Sequence, residues 1–172
     1  MANVQATIRT LVQFDLPLAE MTSRVNHLIY ENTGNDKFIT FFWGIFDPAT
    51  NVFRYVNAGH NHPFVLRADK SIERLTEGGI ILGVLSDAPP YLEGSVRLSS
   101  GDAVIMFTDG ISEAMNTEGV DYTEERVELF LRHVEVRSAQ GILDEIQKEI
   151  AAYTSGAPQS DDITLVVMKA VE

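Results

Sequence analysis

Two aspartates stand beside apolar runs in this sequence, and their side chains could carry chemistry. Asp109 closely follows the apolar residues 103–107, and Asp161 shortly precedes the apolar residues 163–167. Such runs are typical of buried strands, and an ionised carboxylate beside a buried strand is costly unless it is solvated, paired or bound to a cation. Carboxylates that converge on one point repel each other, and a divalent ion relieves that repulsion. The two aspartates are therefore predicted metal ligands.

The kind of metal follows from the donor atoms. The chain contains no cysteine, and oxygen-only ligands favour the hard ions Mg²⁺ or Mn²⁺ over zinc or copper. Gly110 directly follows Asp109, and the pair fits a tight turn in which glycine lets the backbone approach an ion closely. The alternative is that Asp109 is an acid of a turn and Asp161 an acid at the start of a strand, with no metal between them.

Two histidines form a second candidate metal site. His60 and His62 are two positions apart, and residues so spaced on a strand face the same side, as at many metal sites. No third histidine is placed to help, because His27 and His133 lie in predicted helices. A ligand role for these histidines is therefore the weaker interpretation.

The order of the predicted elements indicates the fold class. Apolar residues at helical intervals predict two helices within residues 2–29. Strands with short connections follow, which predicts an antiparallel meander, and residues 38–46 are apolar on both alternating faces, which predicts a central strand covered on both sides. Two more helices and a last strand come after Asp109, and Ser138 is a good N-cap for the second of these helices. Before Asp109, the residues around Asp102 predict a β-turn. The sequence predicts an α+β fold with helices outside the sheet layers.

The composition excludes several classes of function. The chain has 172 residues, of which 45% are hydrophobic, enough for one domain with a substantial core. Acids outnumber bases 25 to 13, for a net charge of −12, so the surface repels phosphate backbones and nucleic acid is not an expected partner. The lack of cysteine excludes disulfides, thiolate nucleophiles and cysteine-based zinc sites. No apolar run is long enough to span a membrane and no signal peptide is recognisable, so we expect a cytoplasmic protein.

Several motifs occur in one characteristic order. They are "YVNAGHNHP", "LGV", "SGDAVIMFTDGISEA" and, near the C-terminus, "DDITLVV". In this order and spacing the chain resembles, from about residue 1 to residue 168, the bacterial PPM-type protein phosphatases. These are metal-dependent serine/threonine phosphatases of the 2C type, in the branch that controls sigma-factor partner switching. The resemblance implies a single domain over residues 1–172 with an α-β-β-α sandwich: two antiparallel sheets flanked by helices. It also makes residues 59–63 a hairpin motif.

The resemblance implies a role for each site residue. In that family the aspartate of the Thr-Asp-Gly motif and the first aspartate of the C-terminal motif bind metal, and these positions are Asp109 and Asp161 here. Gly110 and Asp162 would support the ligands, Asp162 standing where many relatives carry asparagine. The implied chemistry is hydrolysis of phosphoserine or phosphothreonine by water activated between two Mn²⁺ or Mg²⁺ ions, with no catalytic side chain. The implied partner is a phosphorylated regulatory protein such as an anti-sigma-factor antagonist.

The sequence also departs from the family pattern. Two upstream metal motifs of the family, a Gly-Asp pair and an Asp-x-Ser-Gly-His/Lys-Gly loop, do not occur in it, and residues 1–9 resemble the interior of the first helix. We therefore expect an N-terminally truncated domain that lacks the N-terminal strands, binds its ions incompletely and is weak or inactive alone. Unpaired sheet edges would favour a homodimer. The alternative function is a non-catalytic module of the same fold that binds a phosphoprotein or a regulator.

Overall fold

The computed structural model describes residues 2–14, 16–33, 37–135 and 138–171. These residues form five helices and eight strands. In chain order they are α1 (Ala2–Leu11), α2 (Leu18–Thr33), β1 (Phe41–Asp47), β2 (Val52–Ala58), β3 (Phe64–Leu66), β4 (Ile72–Arg74), β5 (Gly78–Gly79), β6 (Gly94–Arg97), β7 (Ala103–Phe107), α3 (Asp109–Ser112), α4 (Glu124–Leu131), α5 (Ala139–Thr154) and β8 (Leu165–Lys169). The predicted α+β class is confirmed, and the short helix α3 is an addition to the predicted elements.

The chain divides into two compact units that alternate along the sequence. The first unit combines Met1–His60 with Leu75–Arg97, and the second combines Asn61–Arg74 with Leu98–Glu172. Each unit contains one four-stranded sheet with helices packed on it. The single domain over residues 1–172 stays a prediction.

Strand β2 is the centre of the sheet in the first unit. β1 pairs with it antiparallel, from Phe41 opposite Ala58 to Asp47 opposite Val52. β6 also pairs antiparallel with β2, whereas the two residues of β5 pair with it in parallel, so the predicted antiparallel meander is wrong at β5. It is also wrong between β2 and β3, which belong to different sheets, so residues 59–63 do not form the predicted hairpin. Helices α1 and α2 bury their apolar stripes on this sheet. The buried core consists of Leu11, Leu18, Met21, Val25, Ile29, Val56, Ala58, Leu82 and Tyr91.

Strand β1 lacks the predicted cover on both faces. Among the described residues it pairs only with β2, and Ile45 is 38% exposed. Its aromatic residues have other partners: Phe42 stacks on Tyr55 with ring centroids 5.7 Å apart, and Trp43 packs against the helix-covered core. The apolar run therefore reflects cross-strand aromatic pairs and one packed face rather than a doubly covered strand.

The sheet of the second unit is antiparallel throughout, in the order β4-β3-β7-β8. Helices α3, α4 and α5 contribute to the core on this sheet. The buried members of that core are Phe64, Leu66, Ala103, Ile105, Phe107, Ile111, Ala114, Tyr122, Val127, Leu131, Val134, Ile142, Ile146 and Ile150. The pairing of β7 with β8 runs from Phe107 opposite Leu165 to Ala103 opposite Lys169, so the residues after β7 meet the residues before β8.

Helix α5 begins as the sequence predicts. Ser138 is its N-cap, and the Ser138 hydroxyl accepts the N–H of Gly141 at 3.0 Å. This bond satisfies one of the N–H groups that a helix start leaves without a partner. Within the described part of the chain, no helix has the length and apolar character needed to cross a membrane.

The predicted β-turn at Asp102 is also confirmed. The N–H of Asp102 donates to Ser99 O at 3.0 Å, and Gly101 adopts φ +94° as such a turn requires. The Asp102 side chain is buried, and its carboxylate accepts hydrogen bonds from Arg67 Nη1 at 2.7 Å and from the N–H of Ala68 at 3.0 Å. The buried charge is thereby paired and hydrogen-bonded, as a buried carboxylate requires.

The pairing of β7 with β8 continues beyond both strands. The N–H of Thr108 donates to Thr164 O at 3.1 Å, and the N–H of Thr164 donates to the Thr108 hydroxyl at 2.9 Å. That hydroxyl donates in turn to Asp162 O at 3.0 Å. A Cβ atom placed on Gly110 would stand 2.5 Å from Asp162 O. We call these four residues, Thr108, Gly110, Asp162 and Thr164, the strand-end junction.

Gly110→Ala is predicted to disrupt the strand-end junction. A Cβ at 2.5 Å from a backbone oxygen is not accommodated without a backbone shift, so the free energy of unfolding should fall by about 2 kcal/mol. The amide of Thr164 should exchange faster with solvent as the loop moves away. Thermal unfolding and amide hydrogen exchange measure both effects.

Gly119→Ala is the matched control for Gly110→Ala. Gly119 has φ +75° but nothing within 4 Å of an added Cβ, so this variant reports backbone strain alone, about 1 kcal/mol. Equal losses for the two variants, with an unchanged Thr164 amide, would contradict the steric role of Gly110.

Tyr91 is buried in the first unit without a partner for its hydroxyl. The residue is 4% exposed, and the hydroxyl makes no hydrogen bond with any described residue. Burial raises the pKa of Tyr91 to about 12, because the phenolate would be poorly solvated there. Tyr122 of the second unit is similarly buried, but its hydroxyl donates to Glu149 Oε1 at 3.0 Å. The two tyrosines differ in whether the buried hydroxyl is satisfied.

Tyr91→Phe is predicted to leave the free energy of unfolding unchanged or to raise it by up to about 1 kcal/mol, because it removes an unsatisfied buried hydroxyl. Tyr122→Phe should lower the free energy of unfolding by about 1 kcal/mol, because the substitution removes a hydroxyl that donates a hydrogen bond to Glu149. Chemical denaturation of both variants measures the difference. A loss in Tyr91→Phe as large as that in Tyr122→Phe would show that the Tyr91 hydroxyl is satisfied.

Candidate metal site

Asp109 lies where the sequence places it, just beyond the end of β7. It is the first residue of α3, and Thr108 before it has the extended backbone of an N-cap, with φ −85° and ψ 162°. The Asp109 side chain is exposed, and its Oδ1 accepts the N–H of Gly110 at 3.0 Å. The short helix thus orients the carboxylate by a local bond and leaves the second oxygen free among the described residues.

Asp161 lies in the loop between α5 and β8, several residues before the strand begins, rather than directly at its start. Its Oδ1 accepts the N–H of Asp162 at 2.7 Å, and its carbonyl accepts Gln159 Nε2 at 2.6 Å. The neighbouring Ser160 hydroxyl donates to Glu113 O at 3.1 Å. The bond from Ser160 to Glu113 therefore holds this loop against the residue that follows α3, and the Asp161 side chain stays exposed.

The strand-end junction brings the two aspartate-bearing segments together. The position of a Cβ on Gly110 lies 2.9 Å from Asp162 C and 3.2 Å from Asp161 O. Only glycine permits this approach, so Gly110 lets protein backbone come close, whereas the sequence suggested that it would let an ion come close. Asp162 contributes its backbone to the contact, and its side chain remains exposed.

The site is negatively charged and has no cationic partner in the part of the chain that the structure describes. Among the described residues, Asp109, Asp161 and Asp162 take part in no salt bridge. Exposed carboxylate oxygens of this kind match the ligand preference of Mg²⁺ and Mn²⁺. In the same described part of the chain, no group of three or more His, Cys, Asp or Glu side chains could hold a metal ion. The donors thus fit a hard divalent ion in type, but they are too few among the described residues to complete its coordination shell.

The two histidines lie in a loop and not on a strand. Residues 59–63 connect β2 to β3, so the argument that alternate residues face one side does not apply to them. In the first unit, Gly59 adopts φ +70°, the N–H of His60 donates to Asn57 Oδ1 at 2.8 Å, and Asn57 Nδ2 donates to His60 O at 2.9 Å. Two hydrogen bonds with Asn57 therefore hold His60 in a turn. Among the described residues, His62 belongs to no group of three or more side chains that could hold a metal ion.

Sequence reasoning missed the residues that join the two motifs. Thr108 and Thr164 make the bonds of the strand-end junction, and Ser112 donates its hydroxyl to Asp109 O at 3.2 Å. The sequence does contain a threonine next to or near each aspartate. Whether the two threonines bond to each other depends on which strand pairs with β7, and that pairing is a tertiary property.

A family comparison covers the chain almost completely. The model of the Stage II sporulation protein E (SpoIIE) family matches residues 1–171. Among curated proteins, protein IcfG of Synechocystis sp. is 26% identical over 93% of this chain and 24% of its own length. Phosphoserine phosphatase RsbU of Bacillus subtilis is 24% identical over 98% of this chain and 50% of its own length. The chain thus spans between a quarter and a half of these relatives.

Solved structures share the fold. The PP2C phosphatase domain of SpoIIE from Bacillus subtilis, solved with a fragment of its regulatory domain, superposes with a TM-score of 0.81 at 19% identity, covering 97% of this chain and 49% of that one. The catalytic domain of the serine/threonine protein phosphatase PstP, in complex with two manganese ions, superposes with a TM-score of 0.67 at 15% identity, covering 98% and 79%.

These findings agree with the resemblance seen in the sequence. The predicted relation to the bacterial PPM-type phosphatases is confirmed by a family model that covers the motifs around both aspartates. The chain belongs to the Stage II sporulation protein E (SpoIIE) family.

Proposed function

We propose that this chain forms part of a metal-dependent phosphatase that hydrolyses phosphoserine or phosphothreonine on a protein. The observation that carries the proposal is the strand-end junction, which joins the segments of Asp109 and Asp161 by direct hydrogen bonds. Membership of the SpoIIE family and the PP2C fold of the similar structures support it. The name of the Bacillus relative, a phosphoserine phosphatase, supports the kind of phosphoester.

Asp109 and Asp161 would hold the divalent ions through the oxygens that the local backbone bonds leave free. Bound Mn²⁺ or Mg²⁺ would supply Lewis-acid activation of water and stabilise the charge that develops on the phosphoryl oxygens. The contribution of the chain is to place two carboxylates on adjoining backbone that is already fixed, so little reorganisation opposes binding. Gly110 and Asp162 support this placement through the strand-end junction, and no side chain is assigned as a nucleophile.

Two manganese ions in the similar PstP domain support manganese as the cofactor.

The proposed partner is a phosphorylated regulator of the anti-sigma-factor-antagonist type, supported by the resemblance to the sigma-regulating branch. A bare phosphate discriminates little between partners, so recognition would come from the protein surface beside the site. A cytoplasmic location and a homodimer belong to the same proposal.

A non-catalytic phosphoprotein-binding module is the second candidate. The observation that favours it is that the described residues bring together no group of three acidic or histidine side chains at the site. Two carboxylates leave most of the octahedral shell of Mg²⁺ or Mn²⁺ to other donors. This 172-residue chain, and the longest protein that contains it, would then bind a phosphoprotein or a regulator without turnover.

Substitution of either aspartate should abolish the activity and weaken metal binding. In the longest protein that contains this chain, Asp109→Asn and Asp161→Asn should each lower the rate of phosphate release by about 100-fold or more, since several kcal/mol of charge stabilisation are lost. The dissociation constant of Mn²⁺, measured by calorimetry, should rise by at least about tenfold. Thermal unfolding should change little, because both side chains are exposed.

Asp144→Asn is the matched control for these variants. Asp144 is an acid of α5 in the same unit, and its Oδ1 accepts Gln140 Nε2 at 2.7 Å, a bond that asparagine can keep. The control should retain Mn²⁺ affinity and activity. Full Mn²⁺ affinity in both Asp109→Asn and Asp161→Asn would contradict the metal site.

The substrate is tested with phosphorylated antagonist proteins from the same organism. We expect Mn²⁺-dependent release of phosphate from at least one of them, and none from it with Asp109→Asn. Efficient turnover of a phosphorylated small molecule with none of the antagonist proteins dephosphorylated would refute the protein substrate. Binding of a phosphorylated antagonist without turnover, in the longest protein as well as in this chain, would establish the second candidate.

A further inference from the structure

Asn61 lies in the loop between β2 and β3 and contacts two other elements of the second unit. Its Nδ2 donates to Ser112 Oγ at 3.3 Å and to Glu124 Oε1 at 2.9 Å. A carboxylate only accepts hydrogen bonds, so the contact with Glu124 determines which end of the amide faces this pair. One half-buried side chain therefore links α3 to the first turn of α4.

Ser112 connects this amide to the backbone of Asp109. Ser112 is 8% exposed, and its hydroxyl donates to Asp109 O at 3.2 Å. The same carbonyl accepts the N–H of Glu113 at 2.8 Å. A hydroxyl can accept one hydrogen while it donates its own, so the bond from Asn61 and the bond to Asp109 are compatible and reinforce each other.

Glu124 is itself held by ion pairs. Arg74 Nη1 lies 3.3 Å from Glu124 Oε2, and Arg74 Nε and Nη2 donate to Glu128 Oε2 at 3.0 and 2.8 Å. Bonds from Arg132 and from Arg74 hold the pKa of Glu128 below its ordinary value. The acceptor that orients Asn61 is therefore part of a fixed network of β4 and α4.

Helix α3 has only four residues, and a single helical turn is not stable by itself because its nucleation is unfavourable. Its geometry must therefore come from outside contacts. Gly110 packs on the loop of Asp161, and Asn61, from the loop between β2 and β3, contacts the hydroxyl of Ser112, the last residue of the helix.

We propose that Asn61 is a positioning residue for the proposed metal ligand Asp109, acting through the Ser112 hydroxyl. The inference rests on the proposed function for its consequence in catalysis, but the physical link from Asn61 to the α3 turn stands on the contacts alone. The asparagine of the "GHNHP" motif thus has a role at the site, although it contacts neither aspartate side chain.

The link is tested by amide hydrogen exchange in the isotope-labelled 172-residue chain without metal. Asn61→Ala should raise the exchange rate of the Glu113 amide about fivefold to tenfold, because the Ser112 hydroxyl, which donates to the acceptor Asp109 O, loses its own hydrogen bond from Asn61. Ser112→Ala should have an effect of similar size. If Asn61 acts through Ser112, the double variant exchanges no faster than the faster single variant, whereas independent effects would multiply.

The consequence for the site is tested by Mn²⁺ titration of the same variants in the longest protein that contains the chain. The dissociation constant should rise about tenfold in Asn61→Ala and no further in the double variant. Asn116→Ala is the matched control, since the Asn116 side chain also makes two hydrogen bonds: in the turn after α3, its Oδ1 accepts the N–H groups of Glu118 and Val120 at 2.9 and 3.0 Å. This control should leave the Glu113 amide and Mn²⁺ affinity unchanged.

An unchanged Glu113 amide in Asn61→Ala, or rate increases that multiply in the double variant, would overturn the positioning role. An equal effect in Asn116→Ala would overturn it as well, because the response would then be a general loss of stability. If the unsubstituted protein binds no Mn²⁺, the proposed function fails, and the exchange experiment alone still decides the link between Asn61 and α3.

Discussion

The arrangement of this site depends on the antiparallel pairing of β7 with β8. The two strands are separated by three helices in sequence. Their pairing continues beyond the end of β7 and ahead of the start of β8 through Thr108 and Thr164. Each bond of that continuation is worth only about 1 kcal/mol by itself. Together these bonds fix the register of the two strands. Register changes only in steps of one residue, and a shift by one residue would separate the two aspartate-bearing segments.

Glycine at position 110 completes the contact that the pairing begins. The loop of Asp161 comes so close to α3 that a Cβ atom would overlap the carbonyl of Asp162. The aspartates then remain exposed at the surface of a unit whose core is otherwise apolar. Hydrogen bonds fix the backbone around both aspartates although their side chains are solvated, an arrangement that suits the proposed site for a hard divalent ion.

Asp102 and Asp109, at the two ends of β7, show how environment separates a structural acid from a candidate ligand. Asp102 is 3% exposed and paired with Arg67, and its oxygens accept bonds from neighbouring N–H groups. Asp109 is exposed and has no salt bridge among the described residues. The first carboxylate stabilises the turn between two strands, whereas the second keeps one oxygen without a hydrogen bond among the described residues.

The sequence by itself determined the helices other than α3, the strands β7 and β8, the N-cap Ser138 and the two aspartates beside those strands, because hydrophobic periodicity and turn chemistry are local properties. It did not determine that β1 pairs with one neighbour, that β5 runs parallel to β2, or that Gly110 meets the backbone of residue 162. These depend on which distant segments pair, and the same apolar pattern is compatible with several partners. Only the tertiary structure decided them, because strand pairing and close backbone contacts join residues that no local pattern relates.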